Sequence, residues 1–285
     1  MSAAAGETSP NVGRPGVSTA DIVVAGAAGR MGNRIIACLA DTADMRLVAA
    51  LEAPGHAAIG RDAGELAGVG KAGVSVGADA VAEIIRERVL IEFSVPEASL
   101  AHLRLVAQAG ARAVIGTTGF SATQRAEITE LAQRAAILLS PNMSVATNVA
   151  FKLLATMAKA LGDEYDIEIT ETHHRFKKDA PSGTALRMAE VVAAALGRDL
   201  DQVAVYGRQG LPGERSRSEI GILSLRSGDV VGEHTVSFGT LGERLELVHK
   251  AHNRDTYARG ALRAARFIVG RPAGLYSMAD VLGLA

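Results

Sequence analysis

Residues 21–32 read D-I-V-V-A-G-A-A-G-R-M-G, and the order of residue types in this stretch decides the fold class. The β-branched run at 21–25 predicts a short buried strand, and the apolar periodicity from Ile35 to Leu39 predicts a helix after the glycines. Strand, glycine turn and helix open a βαβ unit that binds a dinucleotide, because small residues let the backbone approach a pyrophosphate at the helix N-terminus. The spacing G-x-x-G-x-x-G, with Ala28 in place of the usual second glycine, is a weak signal alone.

A second signal follows at the next predicted strand, residues 47–51. This strand ends in Glu52, which lies 20 residues after Gly32. An acidic side chain at this place can accept hydrogen bonds from the ribose hydroxyls of an adenosine. With this context, dinucleotide binding is the favoured interpretation, and ordinary turn chemistry is the alternative.

Three further apolar strands are predicted at residues 89–93, 113–115 and 137–139, and helices alternate with them. This alternation indicates an α/β fold with a parallel sheet, whose ligands bind beyond the carboxyl ends of the strands. The last two strands run into G-T-T-G at 116–119 and S-P-N-M at 140–143. We therefore expect these turns to line one edge of the sheet together with the first glycine loop, although each turn alone is explained by turn chemistry.

After Asn148 the pattern changes. Helices are predicted at 149–161 and 185–196, and strands at 165–170, 202–207, 219–226, 230–238 and 244–249, which is typical of a separate α+β domain. Residues 220–223, I-G-I-L, are apolar at successive positions, so both faces of this sheet should be covered. Because few helices are predicted here, we expect a second subunit to supply the cover. A last helix is predicted at 254–269, and residues 275–282 are expected to pack on the first domain.

Residues 171–184 read E-T-H-H-R-F-K-K-D-A-P-S-G-T and concentrate titratable side chains directly after the predicted strand 165–170. The strand alternates with Ile167 and Ile169 on one face, and a helix is predicted to begin after its N-cap, Ser182. A helix N-terminus beside imidazoles and ammonium groups suits a small polyanion, most simply a carboxylate. The alternative is a solvated basic loop.

Composition narrows the function classes. The 285 residues carry 30 Lys and Arg against 31 Asp and Glu, a net charge of −1, so we expect no nucleic-acid partner. Apolar runs are too short or interrupted to span a bilayer, so no membrane partner is expected. Cys38 is the single cysteine, which excludes an internal disulfide and predicts a buried thiol. Residues 1–19 are predicted to be a disordered tail without signal-peptide character, and the expected location is cytoplasmic.

The most specific motif is H-H-R-x-K-x-D-A-P-S-G-T-A at residues 173–185, and G-R-M-G, G-T-T-G and the G-E-H-T-V of residues 232–236 accompany it. With these motifs, the chain from about residue 21 onward resembles the dihydrodipicolinate reductase family, also called 4-hydroxy-tetrahydrodipicolinate reductase, of the diaminopimelate route to lysine. The resemblance implies an α/β fold with an N-terminal Rossmann-type dinucleotide-binding domain and a second α+β domain for substrate binding and tetramerisation. It places the first domain at 20–147 plus 254–285 and the second at 148–253.

The resemblance also implies roles for individual residues. His173 and Lys177 would be the acid catalysts of an NAD(P)H-dependent reduction of a dicarboxylate, and His174, Gly183 and Thr184 would contact a substrate carboxylate. No metal is expected. The implied cofactor contacts are Gly26, Ala27, Ala28, Gly29, Arg30, Met31, Glu52, Gly116, Thr117, Thr118, Ser140, Pro141, Asn142 and Met143.

One departure from the family pattern concerns the cofactor. Some members carry an arginine after the acidic residue that can hold the 2′-phosphate of NADP, whereas A-P-G-H follows Glu52 here. We expect NADH to be used at least as well as NADPH, with dual use if His56 or Arg61 folds back.

Two functions from other classes remain as alternatives. A dinucleotide-sensing regulator would keep the glycine loop and would not need the His173 and Lys177 cluster. A hydrolase with His173 and His174 as metal ligands is disfavoured, because adjacent side chains on a strand point to opposite faces.

Overall fold

The structure is a computed structural model that describes residues 20–284, so the tail expected at 1–19 lies outside the described residues. The strands are β1 (Ala20–Ala25), β2 (Met45–Leu51), β3 (Val76–Gly77), β4 (Arg88–Glu92), β5 (Arg112–Ile115), β6 (Ala136–Leu139), β7 (Asp166–His173), β8 (Ala204–Val205), β9 (Ile220–Arg226), β10 (Gly232–Thr240), β11 (Glu243–Ala251) and β12 (Gly274–Tyr276). The helices are α1 (Arg30–Ala40), α2 (Ala63–Ala67), α3 (Ala80–Glu83), α4 (Pro96–Ala109), α5 (Ala122–Leu131), α6 (Val145–Leu161), α7 (Gly183–Ala195), α8 (Leu200–Val203), α9 (Asp255–Ile268) and α10 (Met278–Leu282), with a 3₁₀ turn at Gly162–Glu164.

The first sheet is parallel and has the order β12-β6-β5-β4-β1-β2-β3. Its strands are short apolar runs because both faces are buried, one under α1 and α9 and the other under α4 and α5. Strand order reverses between β1 and β4, which is where an open parallel sheet leaves a crevice beyond its carboxyl ends. The α/β fold class predicted from the sequence is confirmed.

The C-terminal segment completes this sheet. Strand β12 pairs in parallel with β6, with Leu275 opposite Ile137. Helix α9 packs on α1, and Arg34 of α1 donates two hydrogen bonds, at 2.6 and 2.9 Å, to the carboxylate of Asp255 at the start of α9. The chain therefore leaves the first sheet after β6 and returns to it after β11.

The second sheet is mixed, with the order β11-β10-β7-β9-β8. Burial alternates strictly along β7, so one face of the sheet carries Ile167, Ile169 and, from β10, Val236 into a core with α6 and α7. On the opposite face, which we call the outer face, Leu223 and Leu225 of β9 are 41% and 49% exposed.

Three expectations from the sequence need correction. The strand predicted at 202–207 is the helix α8 followed by the two-residue β8, because the Asp199 side chain caps the helix by accepting from the Asp201 amide. The helix predicted from 149 begins at Val145, where Ser144 is the N-cap. The strand predicted to end at 170 continues to His173, because its pairing with β9 extends to Arg226.

Within residues 20–284, no helix combines the length and the apolar character needed to cross a bilayer.

Candidate active site

The carboxyl edge of the first sheet gathers the turns singled out in the sequence. Residues 26–29 follow β1, Glu52 follows β2, and the turns at 116–118 and 140–143 follow β5 and β6. These strands are parallel members of one sheet, so their carboxyl ends lie along the same edge. The structure thus brings the predicted cofactor contacts to one side of the molecule.

Close backbone contacts explain the glycines of the first turn. Gly26 has a φ of 71°, and a Cβ there would lie 2.5 Å from the carbonyl oxygen of Phe93. A Cβ on Gly32 would lie 2.1 Å from the carbonyl oxygen of Gly26. The N-cap of α1, Gly29, has no side chain that could accept from the first-turn amides. This helix start therefore leaves N–H donors for an anion such as a pyrophosphate.

The Glu52 carboxylate lies against this glycine turn. Its Oε1 accepts from the Ala28 amide at 2.8 Å, a contact that the sequence did not predict. The following residues form a turn in which the His56 amide donates to the Ala53 carbonyl. The His56 Nδ1 accepts from the Ala58 amide at 3.2 Å, so protonation of this nitrogen would break that bond.

Some predicted cofactor residues use their side chains within the protein. Thr117 is buried, and its hydroxyl accepts from the Ser94 amide at 3.1 Å and contacts the Ser99 hydroxyl at 2.7 Å. Met143 is buried in the core beside α9, while Thr118 is exposed. At Thr117 and Met143, only the backbone is free to face a cofactor.

A buried pair of titratable side chains lies at the end of β7. Because strand residues alternate, Glu171 and His173 share the inner face, and His173 Nδ1 lies 2.6 Å from Glu171 Oε2. Glu171 is 0% exposed and also accepts from both terminal nitrogens of Arg226, each at 3.0 Å, and from the Ser182 amide at 3.1 Å. The buried carboxylate is therefore surrounded by hydrogen-bond donors from three parts of the chain.

These contacts have electrostatic consequences. Burial pushes the pKa of the Glu171 carboxyl up, but hydrogen bonds from Arg226 and His173 outweigh it and hold the pKa below its ordinary value. Burial lowers the pKa of His173, and the contact with Glu171, which raises it, offsets that effect only in part. The resting site therefore favours an ionised Glu171 and a neutral His173 near neutral pH.

A second buried histidine lies on the neighbouring strand β10. His234 of β10 pairs with Glu171, and its ring meets the ring of His173 edge-on with centroids 5.2 Å apart. Its Nε2 lies 3.0 Å from the hydroxyl of Ser182, which in turn accepts from the Ala185 amide and caps α7. Burial lowers the pKa of His234 to about 3, so this imidazole is neutral.

The sequence prediction missed Glu171, Arg226 and His234 as parts of the site. Strand alternation could have paired Glu171 with His173 if the strand had been extended past residue 170. Arg226 and His234 come from β9 and β10, which are non-local partners of β7.

The remaining predicted residues surround the start of α7. Lys177 donates to both oxygens of Asp179, at 3.0 and 2.8 Å. Burial is the main cause of the lowered pKa of His173, and the positive charge of Lys177 lowers this pKa further. Gly183 is exposed at the first position of α7, and Thr184 is half-buried beside it. The helix N-terminus, Lys177 and the half-buried Arg226 together form a site that suits a carboxylate.

Beside this basic site, His174 follows the last residue of β7, and its Nδ1 is buried without a hydrogen-bond partner in the described part of the chain. Among residues 20–284, no three His, Cys, Asp or Glu side chains are arranged to hold a metal ion. The donor set that a metal-dependent hydrolase would need is thus not found among these residues.

Comparisons with known proteins identify relatives for both parts of the chain. The family model described as "Dihydrodipicolinate reductase, N-terminus" matches residues 20–143, and "Dihydrodipicolinate reductase, C-terminus" matches residues 146–282. The 4-hydroxy-tetrahydrodipicolinate reductase of Syntrophus aciditrophicus is 54% identical over 92% of this chain and 97% of its own length. The protein of that name from Geobacter sulfurreducens is 52% identical over 92% and 98%.

A solved structure shares the fold. The dipicolinate-bound dihydrodipicolinate reductase from Paenisporosarcina sp. TG-14 matches with a TM-score of 0.72 at 24% identity, over 92% of this chain and 98% of that one.

Proposed function

The chain belongs to the dihydrodipicolinate reductase family, and on this premise we propose that it reduces 4-hydroxy-tetrahydrodipicolinate with a nicotinamide cofactor, in the diaminopimelate route to lysine. The observation that carries the proposal is the buried Glu171–His173 pair at 2.6 Å, beside the N-terminus of α7. Glu171 contacts both the imidazole of His173 and the Ser182 amide, so a positioned imidazole lies next to the proposed anion site.

The chemistry requires an acid at a fixed place. A nicotinamide bound at the edge of the first sheet would supply the hydride. The 4-hydroxy substrate first loses its hydroxyl group and a proton as water, which gives a conjugated imine. Hydride addition to this imine leaves electron density on nitrogen and the adjoining carbon, which a proton must neutralise. Glu171 engages Nδ1 of His173, so Nε2 is the nitrogen left to carry the exchanged proton. A Cβ at Gly232 would lie 3.0 Å from this Nε2, and the glycine therefore leaves room there.

Substrate binding would itself prepare the acid. His173 favours its neutral form in the resting site, but a bound dicarboxylate places negative charge nearby and favours the imidazolium. Lys177, held by Asp179, is the second candidate donor. His173 and Lys177 are therefore proposed as the acid catalysts.

The substrate carboxylates are proposed to lie at the start of α7. The amides of Gly183 and Thr184 occupy its first turn, where the helix dipole favours negative charge. His174, whose Nδ1 has no hydrogen-bond partner among residues 20–284, completes the proposed contacts. Hydrogen bonds and charge that strengthen as the ring is reduced would favour the transition state over the substrate.

NADH is proposed to be used at least as well as NADPH. The Glu52 carboxylate lies at the glycine turn, where it could accept from a ribose 2′-hydroxyl and would repel a 2′-phosphate. The three residues after Glu52 are uncharged. The His56 Nδ1 accepts a hydrogen bond from the Ala58 amide, so this nitrogen is not free to contact the phosphate.

The proposed assembly is a homotetramer in the cytoplasm, with domains at 20–147 plus 254–285 and at 148–253. Support for association comes from the outer face of the second sheet, where Leu223 and Leu225 of β9 are both exposed. Val248 of β11 is also 50% exposed on this face. A second copy of the chain would remove this apolar surface from water.

The test is an assay that supplies the product of the upstream synthase and follows oxidation of NADH or NADPH. We expect turnover with both, and kcat/KM for NADH at least equal to that for NADPH. A folded protein that binds NADH but never oxidises it with this substrate would instead be the dinucleotide-sensing regulator.

A further inference from the structure

One hydrogen bond joins the turn after β6 to the first turn of α7. The side-chain nitrogen Nδ2 of Asn142 lies 3.1 Å from the hydroxyl oxygen of Thr184. Asn142 belongs to the edge proposed for the cofactor, whereas Thr184 belongs to the proposed carboxylate site. The bond therefore links two sites carried by different sheets.

The other contacts of Asn142 fix the direction of its side chain. Its Oδ1 accepts from the Ser144 amide at 2.8 Å, so the NH₂ end is the one that faces Thr184. Its carbonyl oxygen accepts from the Ser140 hydroxyl at 2.9 Å and from the Asn148 side chain at 2.8 Å. The turn is therefore held by its own bonds, and the Asn142 amide is a directed donor.

The hydroxyl of Thr184 is left with an unused proton. It accepts from Asn142, and within residues 20–284 it makes no other hydrogen bond. Because the O–H donates no hydrogen bond among these residues, it is free to donate to an oxyanion, and accepting one bond polarises the group for donating another. Thr184 is half-buried at the helix start, where a carboxylate is proposed to bind.

We propose that Asn142 is a positioning residue that turns the Thr184 hydroxyl proton toward the substrate carboxylate. The inference rests on the proposed function, because it takes the start of α7 as the carboxylate site. It adds that the carboxylate affinity depends on the turn after β6, at the cofactor edge. By linkage, any factor by which the cofactor changes the dicarboxylate affinity through this turn equals the factor by which the dicarboxylate changes the cofactor affinity.

The test uses pyridine-2,6-dicarboxylate and NADH with the wild type and four variants: Asn142→Ala, Thr184→Val, the double variant and Thr184→Ser. Dissociation constants are measured for each ligand alone and with the other saturating. Each single loss of the bond should weaken dicarboxylate binding about three- to tenfold, the range of one hydrogen bond. The double variant should lose no more than the larger single loss, because both remove the same interaction.

Further readouts separate positioning from structure. Thr184→Ser keeps the hydroxyl and should bind the dicarboxylate within about twofold of the wild type. In Thr184→Val, NADH alone should bind as in the wild type, while the factor by which NADH and the dicarboxylate change each other's dissociation constant should move toward one. Thr184→Val leaves the turn after β6 intact, so it tests the proposal even if Asn142→Ala does not fold.

The possible failures are distinct. Multiplying losses in the double variant, or unchanged dicarboxylate affinity in Thr184→Val, would overturn the role of Asn142 and leave the proposed function standing. A wild type that neither binds the dicarboxylate nor oxidises NADH with substrate would defeat the proposed function itself, before any variant is compared.

Discussion

Replacing Glu171 with glutamine tests the buried pair most directly, since the shape of the side chain is kept. The glutamine oxygen can still accept from the Ser182 amide and from one Arg226 nitrogen, which contact Oε1 now. The new NH₂ would take the place of Oε2, where it faces the other Arg226 nitrogen at 3.0 Å and His173 Nδ1 at 2.6 Å. It can donate only to an unprotonated Nδ1, so His173 becomes the neutral Nε2–H tautomer.

Two magnitudes follow. The pKa of His173 loses the neighbour that raises it and therefore falls further below its ordinary value. Turnover should fall about 100-fold, the low end of the range for a positioned acid, because neutral His173 still holds a proton on Nε2. Stability should fall by about 3 kcal/mol, because Arg226 is left without its counter-ion. This is the low end for a buried pair, since the Arg226 side chain is 21% exposed and keeps the Asp179 carbonyl as an acceptor.

The assay is the pH profile of kcat at saturating substrate and NADH. In the proposed mechanism the active form of His173 is protonated, so kcat should decline as the pH rises through its pKa, and a lower pKa should move this decline to lower pH in Glu171→Gln. The matched control is Glu233→Gln, a half-exposed carboxylate paired with Lys250 at 3.3 Å, which should leave the profile unchanged. A folded Glu171→Gln variant with wild-type turnover and an unmoved profile would refute the reasoning.

Four further predictions concern other parts of the molecule. His173→Ala and Lys177→Ala should each lower kcat about 100-fold or more with little change in NADH affinity, and near-normal turnover in both would leave them only a binding role. Glu52→Gln should weaken NADH binding and spare or improve NADPH binding, whereas a wild-type preference for NADPH of about tenfold would mean that an unrecognised cation holds the 2′-phosphate. Leu223→Glu should give a smaller particle mass than the wild type in light scattering, because it places a charge on the outer face. An unchanged mass would mean that this face is not an interface. His234→Gln should make the protein less sensitive to acid, because burial lowers the pKa of His234 to about 3 in the folded state. Between about pH 6.5 and pH 3 the unfolded chain binds a proton at this histidine that the folded chain does not bind. As the pH falls through this window, the unfolding free energy of the wild type should fall by about 1.4 kcal/mol per pH unit more than that of the variant.

Local signals explain why much of the fold follows from the sequence. Ser182 was identified as an N-cap because its residue type and the periodic run after it are adjacent in the chain, and its hydroxyl does accept from the Ala185 amide. The glycine turn after β1 was identified for the same reason, since strand, turn and helix are contiguous. By contrast, only residues 204–205 of the strand predicted at 202–207 form a strand, because the Asp199 cap begins helix α8 just before them.

The chemistry of the site depended on contacts that local patterns do not contain. Arg226 meets Glu171 because β9 runs parallel to β7 in a register that places it opposite His173. His234 meets the same pair because β10 is antiparallel and places it opposite Glu171. The cluster at 171–184 indicated where charge is concentrated, but only the sheet register decides which charges are buried together.

That register also explains how one site can bind an anion and then donate a proton. At rest the two ion pairs of the site are each balanced, since Glu171 offsets Arg226 and Asp179 offsets Lys177, and His173 favours its neutral form. Arg175 and Lys178 of the same stretch add positive charge. A proton held permanently on His173 would need a second buried cation beside Arg226, which burial opposes. A bound dicarboxylate changes this balance, because its negative charge stabilises the imidazolium while Glu171 keeps hold of Nδ1. Binding of the substrate and protonation of the acid are therefore coupled steps in the proposed mechanism.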